Sequence, residues 1–429
     1  METSTLYSAS PSGLARSLQA ADQTPHYAQA VMKVATRSEV LATEDIYAAN
    51  GMKLLAKGAR IDAGLWNTLS QHKLSRPLDR MLASSDCVDH ASLARDLDKV
   101  IGACPLLATM LARTGDANGW KPVLGRIRLP QAIAFRFTVM RDEAAQLYLH
   151  SLRVTLGAHC IGVRLRLGPQ QQVDLMLAAL CHDIGEMHTD PSILASGRSI
   201  SGDERRFIHV HPVTGYVILH QLDGVPHEVM RAVLQHHERL DGSGYPHGER
   251  GERIGMLARL IAISETLDAV SRQLDHGQIP IVFRLHQGRL DRDGMDALIE
   301  LLPQERDQDA TSVAAGEVER RLNRICAVLQ AWPALQQQIR DMPAGQPCRF
   351  IDERMMQVQS LARQCGITPG LLELLDLRED DAVMLSDLHT TLDEMGRLLD
   401  ALAFEIERCI PADGPHSALC ARIISVLRQ

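Results

Sequence analysis

Along the 429-residue chain the spacing of apolar positions changes character several times. In "VLATEDIYAANGMKLLAKGARI", short runs containing Ile46, Tyr47, Met52 and Leu54 flank Asn50-Gly51, a dipeptide that supplies the positive φ values of a tight turn. A small β-hairpin is predicted there. From Ile61 to about Arg166 apolar residues recur at three- and four-residue spacings, as in "ASLARDLDKVIGACPLLATMLAR", and this is helical periodicity. "VDLMLAALCHDIGE" is a strongly apolar helix that reaches His182 and Asp183 just before Gly185. Near the C-terminus Leu388, Leu392, Met395, Leu399, Leu402 and Ile406 alternate steps of four and three. That seam could pack inside its own domain or against a second subunit as a homodimer. Its length, under three heptads, favours the first.

The predicted fold class is mainly α: a helical core, a small N-terminal β-hairpin segment and a C-terminal helical region. Residues 1–37 read as a partly ordered lead-in, 38–140 as a hairpin-plus-helices region and 141–276 as the chemistry-bearing domain. Residues 277–310 read as a connector and 311–429 as the C-terminal helices. Net charge is −8, and the basic residues form no run that would track a phosphate backbone, which argues against binding a nucleic-acid polymer. The nine cysteines are scattered with no CxxC pair, the pattern of reduced thiols in a cytoplasmic protein. No apolar run is long enough to span a bilayer, so no membrane partner is expected.

Nine of the eighteen histidines fall between His182 and His247. A lone histidine is more often hydrogen-bonded or on the surface than a metal ligand, so each position needs its own argument. His182-Asp183 presents an imidazole and a carboxylate at the buried end of a core helix, where a charged Asp needs a partner. The two oxygens of such a carboxylate can bridge two cations while the imidazole binds one. His236 and His237 point about 100° apart on a helix, so the pair suits two neighbouring cations, the alternative being that one of them is structural. In "FIHVHPVTGYVIL" His211 is the ligand candidate and His209 the bystander. His150, in "LYLHSLRV", is the fourth widely separated imidazole. "HHERLDGSGYP" adds turn chemistry in Asp241-Gly242-Ser243-Gly244 and an aromatic face in Tyr245.

His150, the His182-Asp183 pair, His211, His236-His237 and the Gly-Tyr-Pro loop together resemble the HD-GYP family of metal-dependent phosphodiesterases, over roughly Gln146 to Ala269. The resemblance implies a helical HD core and hydrolysis of the second messenger cyclic di-GMP to linear pGpG or GMP. It also implies iron or manganese as cofactor. Gln146 replaces the Glu expected of members with a third metal, so two divalent ions are predicted. The implied metal ligands are His150, His182, Asp183, His211, His236, His237 and Glu265, the last standing where the family has Asp. Asp183 and Glu186 are the implied catalytic positions, although Lys is usual at Glu186. Arg239, Ser243, Tyr245 and Arg259 are implied nucleotide contacts. Glu186, Glu265 and "SRQLDHGQIP" in place of a basic stretch leave a second reading open: a cyclic di-GMP sensor, or a protein-docking module working through the Gly-Tyr-Pro loop or the C-terminal helices.

Overall fold

The computed structural model describes residues 25–62, 65, 69, 71–76, 78–194, 202–303, 313–341, 348–368, 371, 382–410 and 416–429. The first 24 residues of the expected lead-in and part of the connector lie outside this set. The described chain is helical, with two small antiparallel strand pairs. Ile46–Tyr47 pairs with Lys53–Leu55 around Gly51, whose φ of +85° is left-handed, while Asn50 does not take the positive φ that the sequence suggested for both residues. Val40–Ala42 pairs with Leu82–Ser84. This second pair sets a short strand, Leu82–Ser84, inside the stretch from Ile61 to about Arg166 whose periodicity predicts helices. Three residues are too few for a two-residue period to stand out, and Leu82–Ser84 gains its pairing only from a strand forty residues away.

The chain divides into two units, residues 1–269 with 288–302, and residues 270–287 with 303–429. In the first, Ala145–Arg164 and Pro169–Cys181 fold back on each other, joined through Arg166 at φ +58°. Leu152, Leu156 and Ile161 of one helix and Leu175, Met176 and Leu180 of the other are fully buried. Apolar residues on nearly every side mark these as core helices. The helix Met256–Ser271 approaches them closely because residue 157 is glycine. A Cβ there would meet Ser264 Oγ at 2.3 Å, and Ser264 Oγ donates to the Val154 carbonyl at 2.8 Å. That approach sets Glu265 and Asp268 beside the helix that carries His150.

The second unit has its own core, in which Leu322, Ile325, Trp332, Met355, Leu392, Met395, Leu399, Leu402 and Ile406 are buried. Leu388 packs against the same cluster. The C-terminal seam is therefore interior to its unit. Within it Arg354 and Glu405 form a buried ion pair at 3.2 Å, and His286 meets Glu394 at 2.8 Å. All nine cysteines are free thiols, and among the described residues no helix is long and apolar enough to cross a membrane.

Candidate metal centre

Three helices end at the centre, and their ends explain how it is built. His182 follows Pro169–Cys181, His211 follows Gly202–His209, and His236 follows His227–Gln235. The last turn of a helix leaves carbonyls without intrahelical donors. In each case the imidazole Nδ1 supplies one: His182 to Ala179 O at 2.7 Å, His211 to Ile208 O at 2.6 Å and His236 to Val233 O at 2.7 Å. With Nδ1 donating, each ring turns its Nε2 lone pair into the site. The negative ends of the same helices add to the attraction for cations. His150 reaches the arrangement differently, its Nδ1 meeting Asp268 Oδ2 at 2.7 Å while Arg153 pairs with the other carboxylate oxygen.

Asp183 divides its two oxygens between two sets of imidazoles. Oδ2 lies 3.4 Å from His150 Nε2 and 3.1 Å from His182 Nε2. Oδ1 lies 3.2 Å from His211 Nε2 and 3.4 Å from His236 Nε2. Two candidate cation positions result, His150–His182–Asp183 and Asp183–His211–His236–His237, so His236 and His237 fall at one position and the expectation that they serve two cations is corrected. The donor set fits divalent ions on independent grounds. His150 and His182 bring Nε2 atoms within 3.3 Å, and His211 and His236 within 3.2 Å. Facing lone pairs repel unless a cation or proton lies between them. Ligand atoms bonded at about 2.0–2.2 Å to one ion stand about this far apart. Asp183 Oδ1 and Glu265 Oε2 are buried without a hydrogen-bond partner among the described residues, and a buried carboxylate oxygen in that condition is what a cation satisfies.

Charge follows this geometry. Burial opposes the charged forms of His150 and His211, but Asp183, with Asp268 beside His150, outweighs it and raises them to about 10 and about 9. His236 has no such excess of carboxylate, and burial takes it down to about 4. Burial would raise Asp183, yet His182, His150 and His211 hold it well below the usual carboxylate range. Burial and then the Asp183 charge push Glu186 up to about 7, and raise Glu265 for the same two reasons.

The other expected site residues divide into two groups. Glu265 Oε1 stands 3.4 Å from His237 Nδ1, and Glu186 Oε1 3.8 Å from His211 Nδ1, so both lie at the cluster. Tyr245 stacks on His237 with centroids 4.5 Å apart. It also stacks on His209 at 4.0 Å, so His209, outside both sets of candidate ligands, borders the centre through Tyr245. On the end of Gly202–His209 the chain turns, and the two-residue offset from His211 no longer places the rings on opposite sides. Arg239 lies close enough for its charge to act on His237, Glu265 and Tyr245, while its Nη1 donates to the carbonyls of His236 and Glu238. Ser243 bonds Asp241 at 2.6 Å and receives Arg289 at 3.3 Å. Arg259 donates to the Ile254 and Gly251 carbonyls and to Asp291. Both brace the loop. Gln146 is exposed.

Two residues of consequence escape a sequence reading. Asp268 orients His150. Glu238, 2% exposed, accepts from His247 N at 2.7 Å and Glu249 N at 3.0 Å, closing the Gly-Tyr-Pro loop on itself. A signal for each existed: Asp268 lies one turn beyond Glu265, and Glu238 directly follows the paired histidines.

Residues 137–278 match a family model described as HD domain. This segment resembles the HD domains of cyclic-dinucleotide phosphodiesterases. Over 124 residues it is 34% identical to the cyclic di-GMP phosphodiesterase PA4108 of Pseudomonas aeruginosa, covering 29% of this chain and 30% of that protein. Over 125 residues it is 33% identical to the 3′3′-cGAMP-specific phosphodiesterase 3 of Vibrio cholerae, covering 29% and 27%. Over 144 residues it is 32% identical to the cyclic di-GMP phosphodiesterase response regulator RpfG of Xanthomonas campestris, covering 33% and 36%. The chain thus spans about a third of the length of these relatives. Bd1817, a HDG"Y"P protein from Bdellovibrio bacteriovorus, overlays 60% of this chain and 94% of its own at 16% identity with a TM-score of 0.34.

Proposed function

We propose that the HD-GYP domain hydrolyses a phosphodiester bond of cyclic di-GMP with two divalent cations, iron or manganese, giving linear pGpG or GMP. The observation that carries this reading is the division of Asp183 between two sets of imidazoles, 3.1–3.4 Å from four Nε2 atoms. His150 and His182 would hold one cation and His211, His236 and His237 the other, with Asp183 shared and Glu265 beside His237. The chemistry that such a pair supplies is neutralisation of the phosphate oxygens and a water acidic enough to attack at neutral pH. The chain's own groups complete the site. Arg239 places positive charge beside His237 and Glu265, where an anionic substrate gains from it. Glu186, titrating at about 7 beside His211, can hold a proton on its carboxyl near neutrality and pass it to a departing oxygen. The relatives named for cyclic di-GMP and for 3′3′-cGAMP support a cyclic dinucleotide as substrate class.

A second reading rests on the same Glu186. When ionised it adds a third carboxylate to Asp183 and the half-buried Glu265, a field that opposes charge build-up on phosphate and suits a domain that binds cyclic di-GMP without rapid turnover. Purified chain loaded with Mn2+ or Fe2+ is incubated with cyclic di-GMP and, separately, 3′3′-cGAMP, and linear product is followed by chromatography. Turnover of cyclic di-GMP is expected, and Asp183→Asn should lose metal and turnover together. Absence of product with metal content verified would refute the hydrolase reading, and titration of the dinucleotide then tests the sensor.

A further inference from the structure

The turn Ile184–His188, which carries Glu186 and begins directly after Asp183, is held at two points. One is Gly185, pressed against the backbone of the next ligand helix. The other is His188, 9% exposed, whose surroundings come from elements far away in sequence. Arg136, 2% exposed in the helix Gln131–Glu143, places Nη1 at 2.9 Å from His188 Nε2. A guanidinium can only donate, so Nε2 is the accepting nitrogen and the ring proton sits on Nδ1. Tyr27, 3% exposed in the helix Pro25–Arg37, stacks on the same imidazole with centroids 4.9 Å apart. The Arg136 guanidinium carbon in turn stands 4.6 Å from the centre of the Tyr27 ring, within the range of a cation–π contact. Arginine, imidazole and phenol thus touch pairwise in a closed triangle.

The N-terminal helix that supplies Tyr27 is itself anchored. Val31 and Val34 are buried, and Lys33 and Arg37 both reach Glu143 at the end of the Arg136 helix, at 3.6 and 2.7 Å. Its His26 also faces Asp190, just past the turn, at 4.0 Å. A hydrogen bond from a buried guanidinium holds its partners firmly, because losing the acceptor at Nη1 costs the desolvation of that donor.

We infer that Tyr27, Arg136 and His188 are a positioning set that keeps the turn after Asp183 in register with the metal-binding histidines. The inference rests on the proposed metal centre. It gives the helix Pro25–Arg37 a mechanical route to that centre: displacing Tyr27 releases His188, and the turn bearing Asp183 and Glu186 loses its distal hold. None of the three residues belongs to either set of candidate ligands, so their effect is exerted through Asp183.

The full chain is titrated with Mn2+ against a competing chelator, and the electron paramagnetic resonance of the loaded protein reports whether two ions are coupled. His188→Phe keeps a ring against Tyr27 and removes the acceptor, and Arg136→Met removes the donor. Each should weaken Mn2+ binding by about 10-fold, the lower end of what groups supporting metal ligands contribute, and reduce the coupled signal. The double variant should lose less than the sum of the two singles, because the Arg136–His188 bond is lost in all three. His188→Gln, whose amide oxygen can accept from Arg136, should bring affinity back to within about 3-fold of wild type. Should His188→Phe fail to fold, Tyr27→Leu carries the test, since it leaves the Arg136–His188 bond and removes both ring contacts; the same direction of loss is expected. Wild-type affinity and coupling in His188→Phe, or in Tyr27→Leu where that variant stands in, would overturn the inference alone, as would strictly additive losses. A wild-type chain that takes up no Mn2+ would overturn the proposed metal centre and this inference with it.

Discussion

Gly185→Ala is the smallest change that sets the architecture of the centre against its chemistry. A Cβ at this position would lie 2.1 Å from the His211 carbonyl oxygen and 2.8 Å from Gly215 N. Both are backbone atoms, so no rotamer can relieve the contact. Restoring ordinary separation requires the turn and the His211 helix to part by roughly 1 Å. Overpacking of this kind costs about 1–3 kcal/mol, and at about 2–4 °C per kcal/mol the melting temperature should fall by several degrees. The greater loss is functional. His211 Nε2 and Asp183 Oδ1 stand 3.2 Å apart on the two elements being separated. Metal ligation tolerates only about 0.2 Å, so a 1 Å displacement should lower cation affinity by about 100-fold. Mn2+ titration and a thermal melt, performed on the same preparations, measure the two effects. Gly102→Ala is the control, since a Cβ there meets nothing within 4 Å in a helix, and it should be neutral or stabilise by up to about 1 kcal/mol. Wild-type Mn2+ affinity in Gly185→Ala would refute the reasoning, because it would mean that the spacing of Asp183 and His211 does not govern binding.

Other outcomes follow from the same geometry. His150 and His211, raised to about 10 and about 9, are protonated at pH 7 and must each lose a proton when a cation binds. Affinity should therefore climb from pH 6 to pH 9, and calorimetry in buffers of different ionisation enthalpy should find about two protons released per loaded centre at pH 7; a value near zero would contradict the charge assignment. Glu238→Ala removes the acceptor of His247 N and Glu249 N, and should cost about 2 kcal/mol. Hydrogen exchange at those two amides should accelerate markedly, and unchanged protection would show that the loop is closed by other contacts.

The sequence by itself determined the residues that can bind metal, because donor chemistry belongs to a residue type and needs no partner to be recognised. His150, His182, Asp183, His211, His236 and His237, which the fold gathers into two clusters, are legible from identity and spacing, Glu265 only through the family resemblance, and Gly51 of the Asn50-Gly51 turn from local φ values alone. The burial of the seam Leu392–Ile406 could also be anticipated from its period and short length. What only the tertiary structure decided are the relations between residues distant in the chain. The pairing of Leu82–Ser84 with Val40–Ala42 lies below the length at which a period shows. The role of Asp268 depends on Gly157 admitting the helix Met256–Ser271 to within reach of His150. His209 faces Tyr245 because the chain turns at a helix end, where a two-residue offset ceases to mean opposite faces. Arg259 and Ser243, nucleotide contacts by the family resemblance, have protein partners in Asp291, Asp241 and Arg289 that no local pattern announces. The three side chains at Tyr27, Arg136 and His188 carry no local pattern, since a buried cation is recognisable only once the ring and the lone pair that compensate it have been brought alongside by the fold.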